Sequence, residues 1–297
     1  MARCVIYNPA AGRGLAKKRV DDLRRAANAE DAFWPTLGPG HAEELAFNAV
    51  DDGFMEIVAA GGDGTVHEAA NGVLRAARPE IIFAPWPIGS ANDYAFALNL
   101  PPDWPLNRQF TPQPRLVDIG KVTACNKSRF FVNGLGLGFN SAVTLESRSI
   151  KRVRGMALYG LAFVRAVMRH YAYPVLSFRI DETEFVSPTL AFTTNIGMRE
   201  GGFLVTPDAI LDDGLFDYVH AGPISRLRAL TLLPRLAKGT LPRDHPLIRH
   251  GRCRTITIKS ENSLRVHIDG EFFCQPADGV TELDIELIPA ALRVLSG

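Results

Sequence analysis

Short apolar runs that end in glycine, each followed by an amphipathic stretch, set the rhythm of the first third of the chain. Residues 3–8 read as a strand that runs into the turn Pro9-Ala10-Ala11-Gly12-Arg13-Gly14. A helix is expected over about 15–28, with Leu15, Leu23 and Ala27 toward the core. Residues 56–60 form the next clear strand, and they too run into glycines. Val66, Ala69, Ala70, Val73, Leu74 and Ala77 then fall on one helical stripe over 66–78. Residues 81–84 are another buried strand, and Ser90 is placed as the N-cap of a helix through Leu98. Strand, turn and helix in repetition predict a doubly wound parallel sheet, the three-layer α/β arrangement.

The pattern changes after the proline-rich stretch 101–114. Residues 255–258, 264–268 and 283–287 alternate apolar with polar, the signature of half-buried antiparallel strands. Helical stretches are expected at about 155–171 and at 225–238, the second containing Pro234. The predicted organisation is therefore an α/β domain over 1–119 and a mainly β domain over 120–297.

Composition narrows the classes. The 297 residues are 46% hydrophobic and 22% charged, ordinary values for a folded soluble protein. Lys and Arg number 33 against 32 Asp and Glu, a net charge of +1, so no global field draws the chain to nucleic acid. The N-terminus begins as a strand and lacks the succession of a signal peptide. The longest uncharged stretch, 130–145, is too short to span a bilayer and is broken by Gly134, Gly136 and Gly138. A cytoplasmic location is expected, with any membrane met from the side. Cys4, Cys125, Cys253 and Cys274 form no CxxC pair and read as free thiols.

Two glycine-rich turns carry candidate chemistry, because each follows a strand and opens a helix. A backbone without side chains can approach phosphate closely, and a helix N-terminus offers unpaired N–H groups to it. The first turn is 8–14 and the second is Gly61-Gly62-Asp63-Gly64-Thr65. Neither fits GxxxxGK[ST] and neither fits GxGxxG. His67-Glu68-Ala69-Ala70-Asn71 lacks the second histidine of a zinc-protease helix. Two such turns in successive units, with Asp63 inside the second, favour nucleotide binding over simple tight turns.

The block Gly61-Gly62-Asp63-Gly64-Thr65-Val66-His67-Glu68 resembles the signature of the diacylglycerol kinase catalytic-domain family, which includes bacterial lipid kinases and sphingosine-type kinases. Other blocks fall in the family's order: Asn8-Pro9-Ala10-Ala11-Gly12-Arg13-Gly14, then Pro87-Ile88-Gly89-Ser90-Ala91-Asn92-Asp93. Further on come Gly201-Gly202-Phe203, Pro207-Asp208-Ala209-Ile210-Leu211-Asp212-Asp213-Gly214-Leu215 and Asp269-Gly270-Glu271. The family departs from the chain at Ser90, where threonine is common, and at His67, where asparagine is common.

The resemblance implies a phosphofructokinase- or NAD kinase-like first domain, a β-sandwich second domain, and an ATP- and Mg²⁺-dependent kinase acting on a lipid hydroxyl in a cleft between the two. It implies that Asn8, Pro9, Ala10, Ala11, Gly12, Thr36, Gly61, Gly62, Asp63, Gly64, Thr65, Val66, His67 and Ser90 line the ATP site. Glu271 would be the general base, with Asp63 and Asp93 shaping the metal and phosphate region. Asp213 would bind Mg²⁺ through its carboxylate, with the carbonyls of Ile210 and Leu215 beside it. The roles are physically coherent, since phosphoryl transfer needs positioning and charge neutralisation, and Mg²⁺ prefers hard oxygens. Diacylglycerol or a related lipid is the expected acceptor. A sphingoid base or other lipid, an NAD kinase, and a catalytically silent nucleotide- or lipid-binding regulator are the competing readings. For the helical stripe Met156, Tyr159, Gly160, Phe163, Val164, Val167, Met168 and Tyr171, surrounded by Lys151, Arg152, Arg154, Arg165 and Arg169, two readings stay open. It packs on the β domain with a solvated basic side, or it meets anionic headgroups as a peripheral membrane contact.

Overall fold

A computed structural model of the chain describes residues 2–150, 152–153 and 155–297. Lys151 and Arg154, two of the basic residues singled out above, lie outside the described residues. The chain divides into two compact units, one of residues 1–118 with 289–297 and one of residues 119–288.

The first unit runs β1 (Arg3–Tyr7), α1 (Leu15–Arg25), β2 (Ala32–Pro35), α2 (His41–Asp51), β3 (Glu56–Gly61), α3 (Asp63–Ala76), β4 (Ile82–Pro87) and α4 (Asp93–Ala97). Its strands pair in parallel in the order β2-β1-β3-β4. They read as near-continuous apolar runs because their residues are buried. Val5, Ile6, Ile57, Val58, Phe83 and Ala84 all lose their solvent exposure. Helices α2 and α3 approach so closely at Gly72 that a Cβ there would land on the Glu43 carbonyl oxygen. The proline-rich stretch is not a bare linker. Buried Trp104 donates its indole N–H to the Pro85 carbonyl at 3.0 Å, and Trp86 donates to the Pro102 carbonyl at 2.9 Å.

The second unit carries β5 (Gln113–Ala124, shared with the first unit), β6 (Lys127–Phe131), β7 (Gly134–Gly138), α5 (Phe139–Ser149), α6 (Gly155–Arg169), β8 (Val175–Ile180) and β9 (Thr183–Pro188). It continues with β10 (Ala191–Asn195), β11 (Phe216–Ala221), α7 (Arg226–Ala237), β12 (Ile248–Cys253), β13 (Thr255–Ser260), β14 (Val266–Ile268), β15 (Glu271–Cys274) and β16 (Glu282–Ser296). One antiparallel sheet has the order β12-β11-β10-β7-β14-β15. A second antiparallel set joins the start of β16 to β13, β8 and β9. The Phe178 ring on β8 lies 5.1 Å from Phe192 on β10 and 5.3 Å from His220 on β11, so the two sheets pack face to face as a sandwich. Val219 points the opposite way from His220, as neighbours on a strand must. It joins Phe139, Phe163, Leu232 and Ile248 in a second apolar layer built from α5, α6 and α7.

Several expectations need correction. The last nine residues belong to the first unit, not to the second as the boundary near 120 implies. Arg293 and Val294 of β16 pair in parallel with Ile82 and Phe83. The strand bends at Ala290 (φ 48°), whose N–H donates to the buried Asp118 carboxylate at 2.8 Å. Helix α1 stops at Arg25, and Leu15 at its first position is 42% exposed, so neither Leu15 nor Ala27 anchors it to the core. Helix α3 begins at Asp63, ahead of the stripe, and ends at Ala76, because its C-cap Ala77 adopts a left-handed conformation (φ 53°) and is exposed. The uncharged stretch 130–145 comprises the end of β6, the whole of β7 and the first part of α5. Its glycines are needed because a Cβ at Gly134 would meet the Asn195 side chain and one at Gly136 would meet His267.

His220 gives the sandwich a pH signature. It is 2% exposed, and its Nε2 lies 3.1 Å from the Thr189 hydroxyl. Burial, aided by the Arg249 charge, pushes its pKa down to about 4. The unfolded chain therefore binds the extra proton first as pH falls. Stability is full above about 6.5 and declines toward about 4. Thermal melts should show a fall of several degrees across that window, and His220→Asn should flatten it. An equal slope in both proteins would remove this assignment.

Candidate active site

In the first unit, the predicted nucleotide residues gather at the C-terminal ends of four adjacent parallel strands. Backbone hydrogen bonds link them one to the next. The Thr36 N–H, just after β2, donates to the Tyr7 carbonyl at 2.8 Å. The Asn8 N–H, just after β1, donates to the Ala60 carbonyl at 3.0 Å, and the Ile88 N–H donates to the Gly61 carbonyl at 2.8 Å. Pro9, Ala10 and Ala11 continue the first loop, which the Asn8 side chain shapes by accepting from the Ala10 N–H at 3.0 Å. Gly12 (φ 61°) favours glycine, because its left-handed backbone strains other residues and a Cβ would crowd Leu15 and Ile88 at 3.0–3.1 Å.

The second and third loops are in contact. A Cβ on Gly89 would run into the Gly62 Cα, so two backbones cross there with no side chain between them. A Cβ on Gly61 would lie 2.5 Å from the Thr65 hydroxyl. Asp63 at the start of α3 joins the loops. Its carboxylate accepts from the Asn92 N–H at 2.9 Å and from the Asp93 N–H at 2.8 Å. Asn92, left-handed at φ 54°, locks the third loop by accepting from the Gly89 N–H at 2.8 Å and donating to the Gly89 carbonyl at 3.2 Å. For that reason α4 starts at Asp93, and Ser90 is an exposed turn residue and not its N-cap. The Asp93 side chain is buried, and the side chains of Thr65, Val66 and His67 turn into the fold. Gly62, Gly64 and Ser90 keep partial or full exposure.

Glu68, which no sequence argument singled out, closes the same region. Its two carboxylate oxygens accept from the Gly40 N–H at 2.8 Å and the Ala42 N–H at 3.2 Å, capping α2.

In the second unit, Asp269 and Gly270 are the two loop residues of the β14–β15 hairpin. Both have positive φ (50° and 84°), as a type I′ turn requires. The Asp269 carboxylate accepts from the Val132, Asn133 and Gly134 N–H groups at 2.9–3.0 Å, which fixes the hairpin on the neighbouring loop. Glu271 follows as the first residue of β15. Its side chain is 46% exposed and meets Arg148 at 2.6 Å. Neighbouring His267 is buried, with its ring nitrogens 2.8 Å from Glu200 and 3.1 Å from the Ser141 hydroxyl. No motif marked that network.

The predicted metal residues lie on the turn before β11. Asp213 accepts from the Leu215 N–H at 3.1 Å, and Gly214 has φ 75°. Arg252 lies against Asp213 and is 3.6 Å from Asp217. Asp213 Oδ2 and Asp217 Oδ2 are buried, and the Arg252 guanidinium is the charged group that faces both, in ion pairing and not in well-formed hydrogen bonds. Burial, with the Asp208 charge, raises the Asp217 pKa to about 6. Among the described residues no three His, Cys, Asp or Glu side chains cluster as a metal site. A carboxylate is a hard-oxygen donor that a cation keeping its waters could use, but here the Arg252 guanidinium already neutralises Asp213 and would have to give way.

The second unit also contains an open-sided apolar pocket of about 90 Å³, lined by Phe139, Phe163, Leu190, Val219, Leu232 and Ile248 among others. Asn140 and Thr193 are its polar lining residues. No helix among the described residues is long and apolar enough to cross a membrane.

Phosphate-compatible loops on a parallel sheet fit a phosphotransferase, and the kinase matches make the class one with an alcohol acceptor. Comparison with known proteins gives the family. Residues 3–122 match the diacylglycerol kinase catalytic domain, and residues 134–296 match the YegS C-terminal NAD kinase beta sandwich-like domain. The chain belongs to the diacylglycerol kinase catalytic-domain family. It is 28% identical over 276 residues to the diacylglycerol kinase of Staphylococcus saprophyticus, covering 90% of this chain and 88% of that one. The diacylglycerol kinase of Staphylococcus aureus strain JH9 is 29% identical over 276 residues, covering 90% and 85%. A crystal structure of a diacylglycerol kinase from Bacillus anthracis strain Sterne shares the fold at TM-score 0.73 and 18% identity, covering 100% of this chain and 97% of that one. Another structure from that strain reaches TM-score 0.79 at 21% identity, with the same coverage.

Proposed function

We propose that the protein is an ATP- and Mg²⁺-dependent lipid kinase that transfers the γ-phosphoryl group to the hydroxyl of diacylglycerol or a related lipid. The observation that carries the lipid acceptor is the apolar pocket of the second unit. Hydrocarbon gains about 0.8 kcal/mol per CH₂ buried in such a place. A dinucleotide acceptor, as in an NAD kinase, would leave its ribose and phosphate groups unpaired there. The staphylococcal relatives, both named diacylglycerol kinases, support the same acceptor class.

In this reading the loops at Asn8–Gly12, Gly61–Thr65 and Ser90, with Thr36, hold ATP mainly through backbone N–H groups. Val66 and His67 contribute through the backbone, since their side chains are buried. Asp63 and Asp93 keep the two later loops in register. Asp213 and the carbonyls of Ile210 and Leu215 would hold Mg²⁺, which neutralises phosphate charge when bound. Glu271 takes the acceptor proton. The protein works from the cytoplasmic side and touches the membrane peripherally. The exposed Leu161, Val164 and Met168 of α6, next to Arg165 and Arg169, suit that contact.

Radiolabelled ATP offered with diacylglycerol, phosphatidylglycerol, sphingosine and NAD should label a lipid only when Mg²⁺ is present. Label in NAD alone would overturn the reading, and label in sphingosine alone would move it to sphingoid bases. In the same assay with anionic vesicles, Arg165→Glu combined with Arg169→Glu should reduce co-sedimentation. Unchanged sedimentation would remove the membrane contact and leave the kinase reading standing.

A further inference from the structure

The carboxylate of Glu271 is held by a residue that no motif marks. Arg148, near the end of α5, donates from one terminal nitrogen to Glu271 Oε2 at 2.6 Å and to the Gly270 carbonyl at 3.1 Å. Its guanidinium also lies over the Phe272 ring, 4.6 Å from the centroid. The three contacts fall on three consecutive residues of one hairpin. The planar guanidinium is thus fixed on the very segment that presents Glu271. Among the described residues no other hydrogen bond or ion pair reaches the Glu271 carboxylate, so Oε1 has no polar partner there.

That restraint matters because the side chain is 46% exposed. A free glutamate at such a site gives up about 1.5–2 kcal/mol of rotamer entropy to hold one orientation. General-base catalysis requires heavy atoms within hydrogen-bond reach of the proton that moves. A misplacement of about 1 Å can cost about a hundredfold in rate.

We propose that Arg148 is the positioning residue of the general base. It holds Oε2 and turns Oε1 toward the acceptor hydroxyl. The inference rests on the reading of Glu271 as the base. In the step, the acceptor O–H proton passes to Glu271 Oε1 while the acceptor oxygen forms its bond to the γ-phosphorus of ATP. The bond from that phosphorus to the bridging oxygen breaks, and ADP leaves with the electron pair. Arg148 neither gains nor loses a proton, since a guanidinium stays charged throughout.

An exposed ion pair contributes at most about 1 kcal/mol to stability, so Arg148→Gln should fold and melt like the parent. The test measures label transfer from ATP to dioleoylglycerol in mixed micelles by the full chain. Arg148→Gln should lower kcat by about ten- to a hundredfold, with the KM for ATP within about twofold of the parent. Arg148→Lys should recover part of the rate, because it restores the charge but not the planar fork. Adding Arg148→Gln to Glu271→Gln should cause no further loss, since the residue acts through that carboxylate. Full kcat in Arg148→Gln, or an undiminished further loss on Glu271→Gln, would overturn the proposal while leaving Glu271 as base. An active Glu271→Gln would overturn the base itself, and this inference with it.

Discussion

Glu271→Gln should remain folded, bind ATP with the parent affinity and transfer phosphate roughly a hundred- to ten-thousandfold more slowly, the range that general-base groups contribute. An amide has the shape of the carboxylate but cannot accept the hydroxyl proton. The fold should not suffer, because the hairpin is set by other groups. Asp269 and Gly270 make the turn, and Asp269 takes three backbone N–H groups. What Glu271 loses in the fold is one exposed ion pair with Arg148, worth at most about 1 kcal/mol. ATP affinity should hold because the nucleotide loops belong to the other compact unit. Single-turnover transfer beside thermal melts checks both halves. Parent-like turnover would remove Glu271 from the chemistry.

Asp63→Ala should do the opposite and damage stability and activity together. The carboxylate is the acceptor for two backbone N–H groups on another loop, those of Asn92 and Asp93. Removing it strands both donors, at a cost of about 1–3 kcal/mol for each unsatisfied group. It also releases the contact in which Gly62 and Gly89 cross without side chains. ATP binding should weaken at least about tenfold, and the first unit should melt several degrees lower. Asp63→Asn separates the two roles, because its single remaining acceptor oxygen can keep one of the two hydrogen bonds. Near-parent stability with lost transfer would give Asp63 a part in the phosphate chemistry beyond joining the loops. Parent-like behaviour of Asp63→Ala in both measurements would contradict the bridge.

Much of the architecture was legible along the chain, because burial leaves a periodic trace. β1, β3 and β4 are apolar on both faces, and α3 carries its stripe over most of its length. β2 and α2 left no such trace. The first is short and only partly buried, and the second is anchored by small alanines at Ala42, Ala46 and Ala49. The start of α4 was misplaced because the left-handed turn at Asn92 is sustained by hydrogen bonds to Gly89, and no local propensity encodes that pairing. The return of β16 to the first unit was hidden for a related reason. A strand pattern shows which face is buried but does not name the partner strand.

The loop blocks and the Asp213 and Glu271 blocks could be located from residue order alone. Glycines, a turn-forming Asp-Gly and spaced carboxylates are local requirements, and they are written in consecutive residues. The sequence by itself therefore determined the class of chemistry and named the segments proposed to carry it. Only the tertiary structure decided what those side chains touch. It places Asp63 on two N–H groups 29 and 30 residues away and Glu68 at the head of α2. It sets Arg148 on a glutamate 123 residues away and lines an apolar pocket with residues of α5, α6, α7 and the neighbouring strands. Contacts of that separation depend on how distant elements pack, and no local pattern of hydrophobic and polar residues records them.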